Sequence, residues 1–146
     1  MKLSEMQNKR TGLPDGFTGA RMEWKNVAAE FQIKKLCLMR RDAVSKEGEP
    51  IYFQQGPRQG QPIPDDQVVM QLETREGKNI VVRTNSRRLT SLFNAGIEER
   101  EPDAKNIFGD RIYEVEAPEG WLRFTPFKME YKDGTKGDIA DLEEVD

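Results

Sequence analysis

The residues of this chain best suited to chemistry are its bases. Residues 75–88 carry Arg75, Lys78, Arg83, Arg87 and Arg88 against Glu76 alone, and residues 21–41 carry Arg21, Lys25, Lys34, Lys35, Arg40 and Arg41 against Glu23 and Glu30. Clustered bases bind phosphate backbones by releasing condensed counterions, and aromatic rings add base stacking worth about 1–3 kcal/mol per base. Trp24, Tyr52, Phe53 and Trp121 are candidate stacking platforms, with Arg58 and Arg123 as further candidates for backbone contacts. The plainer alternative is a solvated basic face with both tryptophans in the core. Arg87 and Arg88 fall at the expected start of a helix, where unpaired N–H groups already favour an anion. An anionic partner, or a carboxylate from the acidic 98–103 connector, would satisfy them equally well.

The rest of the inventory excludes whole classes of catalyst. There is no histidine, so Ser-His, Cys-His and His-based metal chemistry are absent. Cys37 is the single cysteine. It cannot form an intramolecular disulfide, and with no histidine to activate it, it reads as a small core hydrophobe. One catalytic pattern remains to weigh, because Asp65 or Asp66 followed by Glu73-Thr74-Arg75 loosely imitates the carboxylates and base of Mg²⁺-dependent nucleases. Arginine stands where that pattern has lysine, and the spacing is short. The expectation is a non-catalytic protein without a metal or cofactor.

These side chains need elements to position them, and 146 residues suffice for one modest core. Residues 1–26, with Gly12, Pro14, Gly16 and Gly19 and no sustained period, read as an irregular arm that Phe17 and Trp24 tie to the body. From 27 to 41, strict alternation puts Phe31 and Ile33 on one face and Leu36 and Leu38 on the other; a bulge near Lys34 and Lys35 brings both pairs inside. Residues 43–65 are rich in glycine and proline and read as a long loop carrying Tyr52, Phe53 and Arg58. Val68, Met70 and Leu72, the "REGK" turn, then Ile80 and Val82 make a hairpin. Asn85 or Ser86 caps a short helix whose Leu89, Leu92 and Phe93 plug the core, with Gly96 beyond its end. A strand about 112–115 and a last one at 121–131, with Pro126 marking an edge or a bulge, complete the set.

Strand, long loop, strand, strand, short helix, strand, strand is the element order of the OB-fold. The expected fold is therefore mainly β with one short helix, a five-stranded OB-fold-like Greek-key barrel over 27–131. Residues 132–146 are expected to be a disordered acidic tail, because 137–146 hold Asp138, Asp141, Glu143, Glu144 and Asp146 and no base. Setting those five aside leaves 23 bases against 21 acids, so the net charge of −3 conceals a body at +2. The amino terminus has no signal-like or membrane-spanning run, which points to a cytoplasmic protein with no membrane partner.

The unit "DQVVMQLETREGKNIVVRTNSRRLTSLF", residues 66–93, resembles the central hairpin and helix of small OB-fold single-stranded DNA-binding proteins of phages and mobile elements. In them an acidic-basic turn joins two strands and a "T-x-S"-like step opens the helix. The resemblance covers 28–131 by element order and 66–96 by residue pattern. It implies cooperative, sequence-independent binding of single-stranded DNA in replication or recombination, with Lys34, Lys35, Arg40, Tyr52, Phe53, Arg58, Arg83, Arg87, Arg88 and Arg123 around the groove. It also implies an acidic tail that recruits replication or repair proteins and competes with DNA. Bacterial members end in an apolar tip, whereas this chain ends Val145-Asp146. Homo-oligomerisation is left open, and a structural or protein-interaction barrel, such as a phage assembly component, is the alternative.

Overall fold

A computed structural model describes residues 3, 13–14, 16–95, 97 and 100–145. Its elements are β1 (Ala20–Arg21), β2 (Phe31–Arg40), β3 (Gln67–Thr74), β4 (Asn79–Thr84), α1 (Arg87–Asn94), β5 (Ala104–Lys105), β6 (Arg111–Glu114), β7 (Leu122–Glu130) and β8 (Lys136–Glu144), with a 3₁₀ turn at Trp24–Asn26. Among the described residues, no helix is long and apolar enough to cross a membrane.

Among the described residues the fold is mainly β with one α-helix of more than a turn, an OB-like half-barrel formed by a curled, open sheet. The strand order is β1-β4-β3-β2-β6-β5, and β7 joins β2 where Leu122 lies opposite Phe31. Five of the strands are the expected ones; β1, β5 and β8 are additions.

The curl originates in β2. Its register against β3 shifts between Ile33 and Lys35, so Lys34 is the extra residue of a β-bulge. Phe31 and Ile33 before the bulge and Leu36 and Leu38 after it all enter one core, with Met70, Leu72, Val82, Leu89 and Phe93. The bulge also divides the other edge of β2, which meets β7 at Phe31 and β6 from Cys37 to Arg40.

The outer face of the sheet is covered too. Leu13 and Phe17 pack on Cys37, Met39, Val69, Val81 and Ile112 as a second, smaller core. This explains why β2 reads as an unbroken apolar run from Leu36 to Met39, since both of its faces are buried there.

Two expectations need correction. The segment taken as a disordered tail forms β8, which pairs with β7 along its whole length from Leu122↔Glu144 to Glu130↔Lys136. Ala140 of β8 is fully buried, and its carbonyl accepts the Ser86 hydroxyl at 2.6 Å. The overlooked signal is Asp133-Gly134 between "FKME" and "DIADL"; the turn it makes spans 132–134, with Gly134 at a φ of 83° and Tyr131 N donating to Thr135 O across it. Asp133 accepts both the backbone N–H (3.0 Å) and the hydroxyl (2.6 Å) of Thr135 there. The second correction is Leu92. Leu89 and Phe93 are buried as expected, but Leu92 is 57% exposed and Thr90 takes the inward place. Gly96 lies outside the described residues.

The 43–65 segment has more order than a bare loop. Ala43 N donates to Ile63 O, Ile63 N to Ile51 O and Ile51 N to Ala43 O, a closed ring of backbone hydrogen bonds across three stretches of chain. Tyr52 bridges Pro62 further out.

Candidate nucleic-acid interface

The arm is fastened across the outer face of the sheet at three points. Lys35 Nζ donates to the Gly16 carbonyl at 2.6 Å, Thr18 N donates to the Gln71 side-chain oxygen at 2.9 Å, and Ala20 and Arg21 pair in parallel with Ile80 and Val81. Gly19 makes the last approach possible. Its φ of 133° suits glycine alone, and a Cβ there would stand 2.7 Å from the Asn79 carbonyl.

So held, the arm brings Arg21, Trp24 and Lys25 to the edge of β4, where they line a surface groove with Arg83 and Asn85. Trp24 is half-buried. Its ring packs tilted against Phe124, centroids 6.3 Å apart, and Lys25 Nζ lies 5.9 Å from its centre. Arg83 donates to the Gln67 side chain. Burial holds the Arg83 guanidinium below its ordinary range, and the neighbouring charges of Arg41 and Arg21 push it the same way, against a smaller opposing pull from Asp110 and Asp65. Arg21 and Arg83 thus share one strip of surface with Glu23, and Arg41 adjoins it through Asp65, which pairs with Arg41 and accepts from the Gln67 amide that in turn meets Arg83. Arg41 Nε is shut off from solvent without a hydrogen-bond partner, its nearest carboxylate oxygen, on Asp65, being 3.8 Å away. A strip of this kind attracts a bound anion electrostatically.

The site residues expected from sequence scatter. Arg83 lies in the groove. Lys34 is exposed at the bulge and donates to Gln32 at 2.9 Å, and Lys35 secures the arm. Arg40 donates to Asn94, stands 3.7 Å from Asp66 and lies over the Tyr113 ring at 5.8 Å. Arg88 pairs with Asp141, and Arg123 with Glu143. Arg87 is exposed at the start of α1. Tyr52 is 45% exposed on the 43–65 segment, and Arg58 lies over Phe53 at 6.0 Å. Neither aromatic lines the groove of Arg83, which has Trp24 instead. Trp121 is covered by Arg75, 4.1 Å from its ring centre.

Among the described residues, the acid that meets Arg88 is Asp141 of β8. Asp138 stands opposite Lys128, and Glu144 opposite Leu122. Asp146 lies outside the described residues, as do Glu98 and Glu99. What sequence reasoning passed over was Arg21 and Lys25, which belong to a recognised basic segment and reach the groove because Gly19 lets the arm lie on β4, and Arg41, which stands just beyond the end of β2.

The residues of the weighed nuclease pattern do not meet. Asp65 and Asp66 pair with Arg41 and Arg40 beside one end of β3, whereas Glu73 stands at the other end, about 23 Å along an extended strand. Cys37 lies in the second core, and burial pushes its thiol up to about 12, far from a nucleophile's range. A cleft of about 530 Å³ opens between the arm and β5–β6, with Leu13, Phe17, Leu36 and Ile112 among its walls. Compared with protein-family models, curated proteins and solved structures, the chain matches none.

Proposed function

We propose that the protein binds single-stranded DNA without catalysis and without reading its sequence, in the service of replication or recombination. The observation that carries this reading is the groove in which Trp24 stands among Arg21, Lys25 and Arg83, three cations against the single carboxylate of Glu23. Cations along a groove track a phosphate backbone, and an aromatic face accepts any base, so such a site is indifferent to sequence. The OB-like frame supports the reading, since that architecture commonly presents oligonucleotide sites on its sheet face and neighbouring loops. The proposal places the protein in the cytoplasm with its DNA. Salt-titrated binding of a fluorescent oligo-dT tests it. Affinity should fall steeply with salt, and Arg21→Gln and Arg83→Gln should each flatten the log–log slope by about one. No binding at about 50 mM salt would overturn it.

A second reading, a structural or protein-interaction barrel such as a phage assembly component, is favoured by the large apolar side chains left in solvent: Val44, Ile51, Ile107 and Phe108. It expects an oligomer or complex that ignores nucleic acid, which sizing with and without oligo-dT would reveal.

A further inference from the structure

Leu92 departs from the pattern of its helix. Leu89 and Phe93 of α1 turn into the core and Thr90 takes the remaining inward place, while Leu92 stands 57% exposed. An isolated exposed leucine is ordinary, but this one borders a groove of about 800 Å³ that α1 makes with the 115–119 segment. Phe93, Val115, Ala117 and Pro118 give that groove an apolar lining. Its walls are fixed before anything binds. Leu89 and Phe93 anchor α1 in the core, Val115 N donates to Leu36 O at 3.1 Å, and Arg100 Nη1 donates to the Glu114 carbonyl at 3.1 Å. A preformed groove gives up little entropy when an apolar side chain enters it.

The rim selects the occupant. Glu116, Glu119 and Glu144 line the groove, all of them exposed, and among the described residues none of them is ion-paired. Arg100, the cation of the lining, is matched by Asp103 at 2.6 Å. Arg88 of α1 and Arg123 of β7 are likewise taken, by Asp141 and Glu143, and Arg87 in the first turn of α1 does not line the groove. Unpaired carboxylates around an apolar lining repel a phosphate backbone and attract a cationic partner. We propose that this groove docks a basic amphipathic segment of a partner protein, which seats an apolar side chain against Leu92 and Phe93 and sets lysines or arginines on Glu116, Glu119 and Glu144. The site is independent of the single-stranded DNA reading: its charge is opposite to that of the groove at Trp24, and no residue lines both.

The test is anisotropy with the full chain and a labelled amphipathic peptide of leucine and lysine at about 50 mM salt, with its glutamate-for-lysine counterpart as the control. No nucleic acid is present, so the result does not depend on DNA binding. The wild type should bind the lysine peptide and not the acidic one. Leu92→Ala should weaken binding roughly three- to tenfold, and Glu116→Gln combined with Glu119→Gln by a similar factor together with a reduced salt dependence. Glu47→Gln, which removes an exposed carboxylate on the 43–65 segment, should change nothing. Leu92, Glu116 and Glu119 are exposed, so the variants should fold, which circular dichroism would verify. A wild type that does not bind the lysine peptide overturns the proposal. An equal loss from Glu47→Gln does so too, because it would mark attraction to net charge alone. If Leu92→Ala leaves the peptide affinity unchanged, the groove is refuted, and an altered sizing profile in that variant would show that a second copy covers Leu92 instead.

Discussion

Arg88, in the first turn of α1, places Nη2 3.0 Å from a carboxylate oxygen of Asp141 on β8 and lays its guanidinium over the Phe127 ring at 4.2 Å. An arginine at a helix amino terminus is unfavourable against the helix dipole, and here an acid from the far end of the chain compensates it. Arg123 is matched by Glu143 of the same strand. β8 therefore neutralises two of the arginines that sequence alone offers to DNA.

Arg88→Ala and Arg123→Ala should consequently alter oligo-dT affinity by less than about twofold and leave the salt slope unchanged, whereas Arg21→Gln lowers it by about one. Each alanine variant should lose under about 1 kcal/mol of stability, since both pairs are partly exposed. Parallel salt titrations and urea melts check this; a flattened slope for Arg88→Ala would return that residue to the binding surface.

Removal of 132–146 should abolish cooperative unfolding rather than trim a loose end. Ala140 and Leu142 pack against the main core, and the Ser86 hydroxyl loses its acceptor. Ser86→Ala alone should cost about 1–3 kcal/mol by leaving a buried carbonyl unpaired. A truncated chain with the wild-type urea midpoint would show β8 to be dispensable.

Leu89 is buried and Leu92 exposed despite their shared place in the helical pattern. Leu89→Ala should cost about 2–5 kcal/mol, while Leu92→Ala should stay within about 0.5 kcal/mol of the wild type. Urea denaturation of the two variants decides it.

Cys37 gives the folded state a signature at alkaline pH. Its pKa, raised by burial to about 12, exceeds the unfolded thiol's, so above the unfolded pKa the folded chain holds a proton that the unfolded chain has released. Stability contributed in this way is complete below pH about 8.5 and is lost at about 1.4 kcal/mol per pH unit as pH rises towards 12. Comparing urea midpoints of wild type and Cys37→Ala between pH 8 and 11 should show a shallower decline in the variant. In native protein the thiol should resist thiol-specific reagents that label it at once in urea.

Much of the frame was legible in the sequence because hydrophobic alternation reports burial directly. The 68–82 hairpin and the bulge between Phe31-Ile33 and Leu36-Leu38 follow from it; the helix does start after Ser86, but the expected side-chain cap is not made, because the Ser86 hydroxyl donates to Ala140 instead. Charge obscured the rest. "GDIADLEEVD" looks solvated when counted by acids, although Ala140 and Leu142 alternate with Asp141 and Glu143 as an amphipathic strand does. The groove was hidden for a different reason: Arg21 and Trp24 come from a segment without periodicity, and their meeting with Arg83 depends on a pairing of only two residues with β4.

The bulge at Lys34 has a further consequence, one of parity. Side chains along a strand alternate like odd and even numbers, and one supernumerary residue exchanges the two classes for everything downstream. Deleting Lys34 would therefore turn Leu36 and Leu38 towards the arm and Cys37 and Met39 towards the main core, carrying Arg41 from the outer strip to the inner side. Apolar side chains would still fill both interiors, so the sheet could survive the exchange in some form. The arginine strip could not, which makes a single residue near one end of β2 the spacer that decides on which side of the sheet its charge emerges.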